Sequence, residues 1–172
     1  TEHTVPALKK LKGKYKVFFE KPGSLNSAEL EDIKNSIDVD NFFSLYNRRF
    51  YSTVDYVKQF IEKSTVPVNL NMYFPDTKPG LHQFFINGCH AIDLSLYLID
   101  DFSPNIVGVT GNLSEPSAGF SFLANSEVGH ILNFNNPWGA PSRARLDCYN
   151  SQVSLQLMPF EALIASDAML VH

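Results

Sequence analysis

The sequence predicts two units in succession: an α/β unit holding a piece of a doubly wound parallel sheet, then an α+β unit whose mostly antiparallel open sheet is covered by helices on one face. Three observations carry this. Residues 14–46 read strand, helix, strand, a pattern whose crossover makes the two strands parallel. Residues 52–63 and 89–99 carry apolar side chains at helical spacing. From about residue 105 short apolar segments alternate with Gly, Asn, Ser and Pro, the texture of an antiparallel meander.

Thr4 caps a first short helix with Pro6 in its first turn, and Gly13 suits the left-handed residue after its end. The segment KYKVFF, 14–19, is the first strand. Asn26 with Glu29 makes a capping-box signature that opens the helix SAELEDIKNS, and NFFSLY, 41–46, is the next strand. Ser52 with Asp55 repeats the capping pattern ahead of a helix whose Val54, Val57 and Ile61 share one face. Residues 66–74 read as a strand, Pro75-Asp76 and Pro79-Gly80 as loop. The stretch GCHAIDLSLYLID is helical by length and by Cys89, Ile92, Leu96 and Ile99. The meander is drawn from NIVGVTGNL, GFSFLANS, GHILNFNN, SRARLDCY and QVSLQLMP. No internal repeat or low-complexity linker interrupts the chain.

Composition narrows the function. With 172 residues, 44% hydrophobic and 13% aromatic, the chain has ample material for a core. Its net charge is -4 and no basic block is longer than Lys9-Lys10, so the electrostatic footprint of nucleic-acid binding is missing. No apolar run reaches the ~18 residues of a membrane span, and TEHTVPALKK lacks the apolar core of a signal peptide, so the expected location is cytoplasmic, with no membrane partner. Cys89 and Cys148 are too few for a disulfide framework and are expected to be reduced.

The chemistry concentrates where strands end. In parallel sheets ligands bind beyond the carboxyl ends of the strands, and Glu20-Lys21-Pro22 stands at one such end while Asn47-Arg48-Arg49 stands at the next. Both clusters are expected to face one crevice. Lys21 is either a solvated surface lysine or a ligand contact, with Pro22 fixing the turn behind it. His90 and Asp93 lie three apart on one helical face with Tyr97. Either they are a locally satisfied pair, or His90 stays neutral at a helix N-terminus and accepts a proton. His82, Cys89, His90 and His130 show no zinc spacing, so no metal is expected. No G-x-S-x-G, Walker loop or H-E-x-x-H occurs.

Taken together, HTVPALKKLKGKYKVFFEKPGSLNSAE, YNRRF and NGCHAIDLSLYL resemble the large NAD(P)-dependent oxidoreductase family that includes glucose-fructose oxidoreductase and inositol dehydrogenase. The resemblance runs over most of the chain to about residue 100. It implies that 1–47 is the C-terminal portion of a Rossmann-type dinucleotide-binding domain, and that 48–172 is an α+β substrate and oligomerisation domain. It implies NAD or NADP as cofactor, a sugar, sugar derivative or polyol as substrate, and a homo-oligomer formed through the C-terminal sheet. Lys21 would stand close to the nicotinamide and the substrate hydroxyl, with Glu20 and Pro22 shaping its turn. His3 would belong to a loop crossing near the cofactor. His90 would lie at the reacting hydroxyl, Arg48 and Asn87 would bind substrate, and Asp93 looks structural. Hydride transfer requires the hydroxyl proton to leave as the carbonyl forms; His90 is the implied acceptor and Lys21 the stabiliser of charge on the oxygen.

Two departures qualify the match. Many dehydrogenating members carry an acidic residue one helical turn before the histidine, where this chain has Ile86, followed by Asn87. No G-x-G-x-x-G occurs anywhere. The chain is therefore expected to open inside a domain, to be incomplete at its C-terminal sheet, and to be inactive by itself. A non-catalytic sugar-binding or scaffold relative of the same fold is the alternative.

Overall fold

The computed structural model describes residues 6–7, 10–11, 15–24, 26–36, 39–99, 105–111, 119–140 and 143–167. The chain divides into two compact units, Thr1–Tyr46 and Asn47–His172. In the first, β1 (Val17–Glu20) and β2 (Phe42–Leu45) pair in parallel, from Val17 opposite Phe42 to Glu20 opposite Leu45. The expected first strand is thus shifted toward Glu20, and it pairs with the second as expected. Of the first predicted helix, Pro6, Ala7 and Lys10 are helical, while Thr4 and Gly13 lie outside the described residues.

Helix α1 (Ser27–Ser36) joins the two strands. Its capping box closes indirectly. Glu29 N–H donates to Asn26 Oδ1 at 2.8 Å, but the Glu29 carboxylate accepts from Ser24 Oγ, 3.1 Å away, and Asn26 N–H donates to that same hydroxyl. The return arm of the box therefore runs through buried Ser24. Ile33 is buried on this helix. On one face of the β1–β2 pair Phe18 and Phe43 stack at 5.2 Å between ring centroids.

The second unit begins with a helical turn, Asn47–Phe50, and α2 (Ser52–Lys63). Val54, Val57 and Ile61 are buried as their spacing requires. The expected cap at Ser52 does not form: the N-cap is Tyr51, with no side-chain hydrogen bond, and Asp55 accepts from Gln59 Nε2 instead. After β3 (Asn69–Tyr73), a π-helical turn at Phe84–Gly88 leads into α3 (Cys89–Leu98). Of the residues whose spacing marks this helix, Ile99 is buried in the core and Ile92 packs against it. The buried residues are His90, Ala91, Asp93, Leu94, Ser95 and Leu98, whereas Leu96 is 43% exposed. Leu94 and Leu98 join Ile92 and Ile99, so the core-facing side of the helix is wider than the apolar spacing alone marks.

The remaining strands are β4 (Asn105–Gly111), β5 (Gly119–Asn125), β6 (Ile131–Pro137), β7 (Arg145–Tyr149), β8 (Val153–Leu157) and β9 (Leu163–Asp167). They form one seven-stranded sheet in the order β4-β5-β6-β3-β7-β8-β9. The sheet is mostly antiparallel, but the meander is split: β3 inserts between β6, to which it is parallel, and β7, to which it is antiparallel. That insertion is a long-range pairing with no local signature.

Alternation fits this sheet. Leu70, Met72, Leu132, Phe134, Leu146, Cys148, Leu155 and Leu157 form a buried cluster with the inward residues of α2 and α3. The uncovered face carries Asn71, Asn133, Asn135, Asp147 and Gln156 in register, with Gln156 Nε2 donating to Asp147 Oδ1 at 2.8 Å. Antiparallel sheets commonly face water on one side, and this one does so with amides interspersed with exposed Leu123, Ile131 and Ile164. No helix among the described residues is long and apolar enough to cross a membrane. Cys89 and Cys148 are free thiols.

Candidate active site

In the first unit, Glu20 closes β1 and Lys21 opens the turn that follows, half-buried. The Lys21–Pro22 peptide bond is cis. Gly23 then takes φ 74°, and a Cβ there would sit 2.7 Å from the Phe19 ring, so this position demands glycine twice over. The chain thus reverses within three residues of the strand end, holding the lysine there. His3 lies outside the described residues.

In the second unit the Asn47–Phe50 turn presents two arginines that behave differently. Arg49 Nε donates to Asp93 Oδ2 at 2.8 Å and Arg49 Nη2 donates to Asp93 Oδ1, a bidentate pair in which the carboxylate is only 9% exposed. The Arg49 guanidinium also lies 5.2 Å from the Tyr97 ring, which Lys58 Nζ approaches from 4.7 Å. Asp93 is therefore taken by Arg49, and the local pairing of Asp93 with His90 gives way to a tie between the NRRF turn and α3. His90 itself is buried at 7% exposure in the first turn of α3.

Arg48 has no such carboxylate. Its guanidinium stacks 4.7 Å from the Phe74 ring centre and 5.6 Å from that of Phe160. Nη1 is buried and meets no hydrogen-bond acceptor. An unmet buried donor costs about 1–3 kcal/mol. Stacking over aromatic faces returns about 0.5–2 kcal/mol. Burial lowers the Arg48 pKa from its ordinary value, opposed by the nearby Tyr51, Glu161 and Cys89.

Asn87 is anchored. Its Nδ2 donates to Asp76 Oδ1 at 2.6 Å, and the other oxygen of Asp76 accepts from Asn136 Nδ2 at 2.8 Å. Asn136 Nδ2 also reaches Phe74 O, while Trp138 Nε1 donates to Asn136 Oδ1. Asp76 and Asn136 are both fully buried. This network secures the Phe84–Gly88 turn immediately ahead of His90. At Gly88 a Cβ would lie 2.2 Å from the Phe84 ring, so the ring's fold over the turn depends on glycine. Nothing local in the sequence marks Asp76, Asn136 or Trp138, because their partners lie up to 62 positions away.

Among the described residues no three His, Cys, Asp or Glu side chains gather as metal ligands. His130 Nδ1 accepts the Val68 backbone N–H at 3.0 Å.

No family model matches the chain, and no curated protein does. Solved structures do. A protein described as an NADPH-dependent oxidoreductase from Desulfitobacterium hafniense is 15% identical with a TM-score of 0.80; the match covers 98% of this chain and 59% of that one. A myo-inositol dehydrogenase from Corynebacterium glutamicum is 17% identical with a TM-score of 0.68, covering 96% and 54%. Levoglucosan dehydrogenase in complex with NADH and levoglucosan is 16% identical with a TM-score of 0.70, covering 97% and 54%. The chain has the fold of these oxidoreductases. It spans a little over half the length of each, and at such identities the likeness is one of fold.

Proposed function

We propose that this chain is part of an NAD(P)-dependent oxidoreductase that transfers a hydride between a nicotinamide and a hydroxyl-bearing carbon of a sugar, sugar derivative or polyol. The observation that carries the reading is the dehydrogenase fold along nearly the whole chain, together with an amine held at the carboxyl end of a parallel strand. That strand end fits the reacting end of a dinucleotide: the turn is tight, glycine-bearing and half-buried. The phosphate end does not fit, since the sequence holds no G-x-G-x-x-G turn to offer backbone N–H donors.

When bound, the nicotinamide supplies a hydride acceptor. Lys21 has the role of donating to the oxygen as charge builds on it, and His90 that of taking the hydroxyl proton. The Arg49–Asp93 pair and the Asp76–Asn87 bond hold the turns on either side of His90. Asn87, with one N–H on Asp76, keeps its amide oxygen for a substrate hydroxyl. Self-association through the uncovered face of the seven-stranded sheet belongs to the same reading.

Calorimetric titration with NAD+ and NADP+ tests it. Residues 1–172 alone are expected to bind neither tightly, and a longer polypeptide containing them to bind one and to oxidise a sugar-like alcohol. In that polypeptide Lys21→Ala and His90→Ala each lower turnover by roughly 10²–10⁴-fold. Full-length protein that binds no dinucleotide moves the reading to a sugar-binding or scaffold relative, which Ile86 in place of an acidic residue favours.

A further inference from the structure

We propose that Arg48 binds an oxyanion carried by the ligand, so that the substrate class is an acidic or phosphorylated polyol rather than a neutral sugar. The inference deepens the reading above and rests on it for the reaction, though not for the binding. A guanidinium presents five N–H donors in its own plane and none on its faces. In this protein the Arg48 guanidinium carbon lies 4.7 Å from the Phe74 ring centre and 5.6 Å from that of Phe160, contacts that hold the cation through its faces rather than through its N–H donors. Yet Nη1 is buried without an acceptor, and among the described residues no carboxylate forms a salt bridge with this arginine.

The neighbouring residue shows what the fold does when it wants an arginine neutralised. Arg49, one position on, receives a buried carboxylate on two of its donors. Arg48 receives two rings instead, which hold the cation without spending its hydrogen bonds. A guanidinium whose donors are not taken by a carboxylate retains the fork suited to planar, bidentate recognition of a carboxylate, and it also serves phosphate. Tyr51 and Glu161 are among its close charged or titratable neighbours; Glu161 is exposed and forms no ion pair with it.

The test is an NMR titration of the ¹⁵N-labelled 172-residue chain with D-gluconate, D-glucose 6-phosphate and D-glucose, repeated on Arg48→Met and Arg48→Lys. Gluconate or glucose 6-phosphate is expected to bind at least tenfold more tightly than glucose, shifting the Arg48 Nε and Cys89 amide signals. Which of the two binds distinguishes carboxylate from phosphate. Arg48→Met is expected to abolish the preference, and Arg48→Lys to restore less than half of it, because an ammonium cannot bind bidentately or stack in the same way. Should Arg48→Met fail to fold, the lysine variant decides alone, and full affinity there overturns bidentate recognition. Glucose binding as tightly as the anions, or no binding by any of the three, overturns the proposal. A chain that binds gluconate through Arg48 while the longer polypeptide shows no turnover defeats the enzyme reading and leaves this inference standing. Turnover of neutral sugars unchanged by Arg48→Met does the reverse.

Discussion

The two sheets of this protein differ in how completely they bury one face: β1 and β2 hold no fully buried residue. In the seven-stranded sheet Leu70, Met72, Phe134 and Leu146 are sealed beneath helices, and the open face mixes amides with the exposed Leu123, Ile131 and Ile164. In the two-stranded sheet the open face is aromatic and aliphatic: Phe18 is 62% exposed, Phe43 39% and Leu45 38%. Isolated two-stranded sheets are at best marginally stable, and parallel sheets are normally covered on both faces. The second unit thus has the architecture of a self-sufficient core. Stability measured on this chain should report on the second unit far more than on the first.

The largest effect expected from that contrast is in the covered sheet. Phe134→Ala removes a fully buried ring packed against Phe120 and Phe122, and should lower unfolding free energy in urea by about 3–5 kcal/mol. A loss below about 1 kcal/mol would mean the core described here is not what unfolds.

Next comes the pair of arginines. Arg49→Ala strands a nearly buried carboxylate, a change worth about 3–5 kcal/mol for a fully buried pair. Arg49 is 39% exposed, so solvent screening should reduce the loss to about 1–3 kcal/mol. Arg48→Met keeps contact with Phe74 and Phe160 while removing an unmet donor, and should change stability by less than about 1 kcal/mol. Equal losses at the two positions, measured by the same urea titration, would erase the distinction drawn between them.

Cys148 sharpens the comparison from the covered side. Burial pushes its thiol up from 9.0 to about 12. The unfolded chain then loses that proton above pH 9 while the folded one keeps it, so stability is whole below pH 9 and falls as pH rises toward 12. The slope is at most about 1.4 kcal/mol per pH unit from this one group. Cys148→Ala should start less stable but lose stability less steeply between pH 9 and pH 10.5. Parallel slopes in the two proteins would show that the covered face admits water at Cys148.

What could be read beforehand follows from range. The β1–α1–β2 unit, the buried stripe of α2 and the location of α3 are set by residues within one or two turns, and all were legible in sequence. The insertion of β3 between β6 and β7 was not, since pairing is decided by partners 60 to 80 residues away. The same holds at the candidate site. Lys21, Arg48 and His90 announce themselves by residue type, but the assignment of Asp93 to Arg49, 44 positions distant, and of Asn87 to Asp76 needed coordinates. Asn87, which the family resemblance implies as a substrate contact, has one amide N–H donating to Asp76. Within α3 the spacing finds Ile92 and Ile99, which meet the core, but not the burial of Ala91, Leu94 and Leu98 beside them.

The smallest effect is expected on the open face of the two-stranded sheet, and it is the one that most directly tests the contrast. Phe18 and Phe43 are cross-strand neighbours whose rings stack, a contact of about 0.2–1 kcal/mol. Because Phe18 is 62% exposed, Phe18→Ser gives up little burial and should shift the urea midpoint of the chain by less than about 0.5 kcal/mol in free energy. It should also lower the chain's tendency to self-associate, since exposed apolar patches of this kind are sticky in water. Sedimentation velocity at several concentrations reads that change without reference to stability. A loss above about 2 kcal/mol would instead show that Phe18 is covered in solution, and the two sheets would then differ in what covers them rather than in whether they are covered.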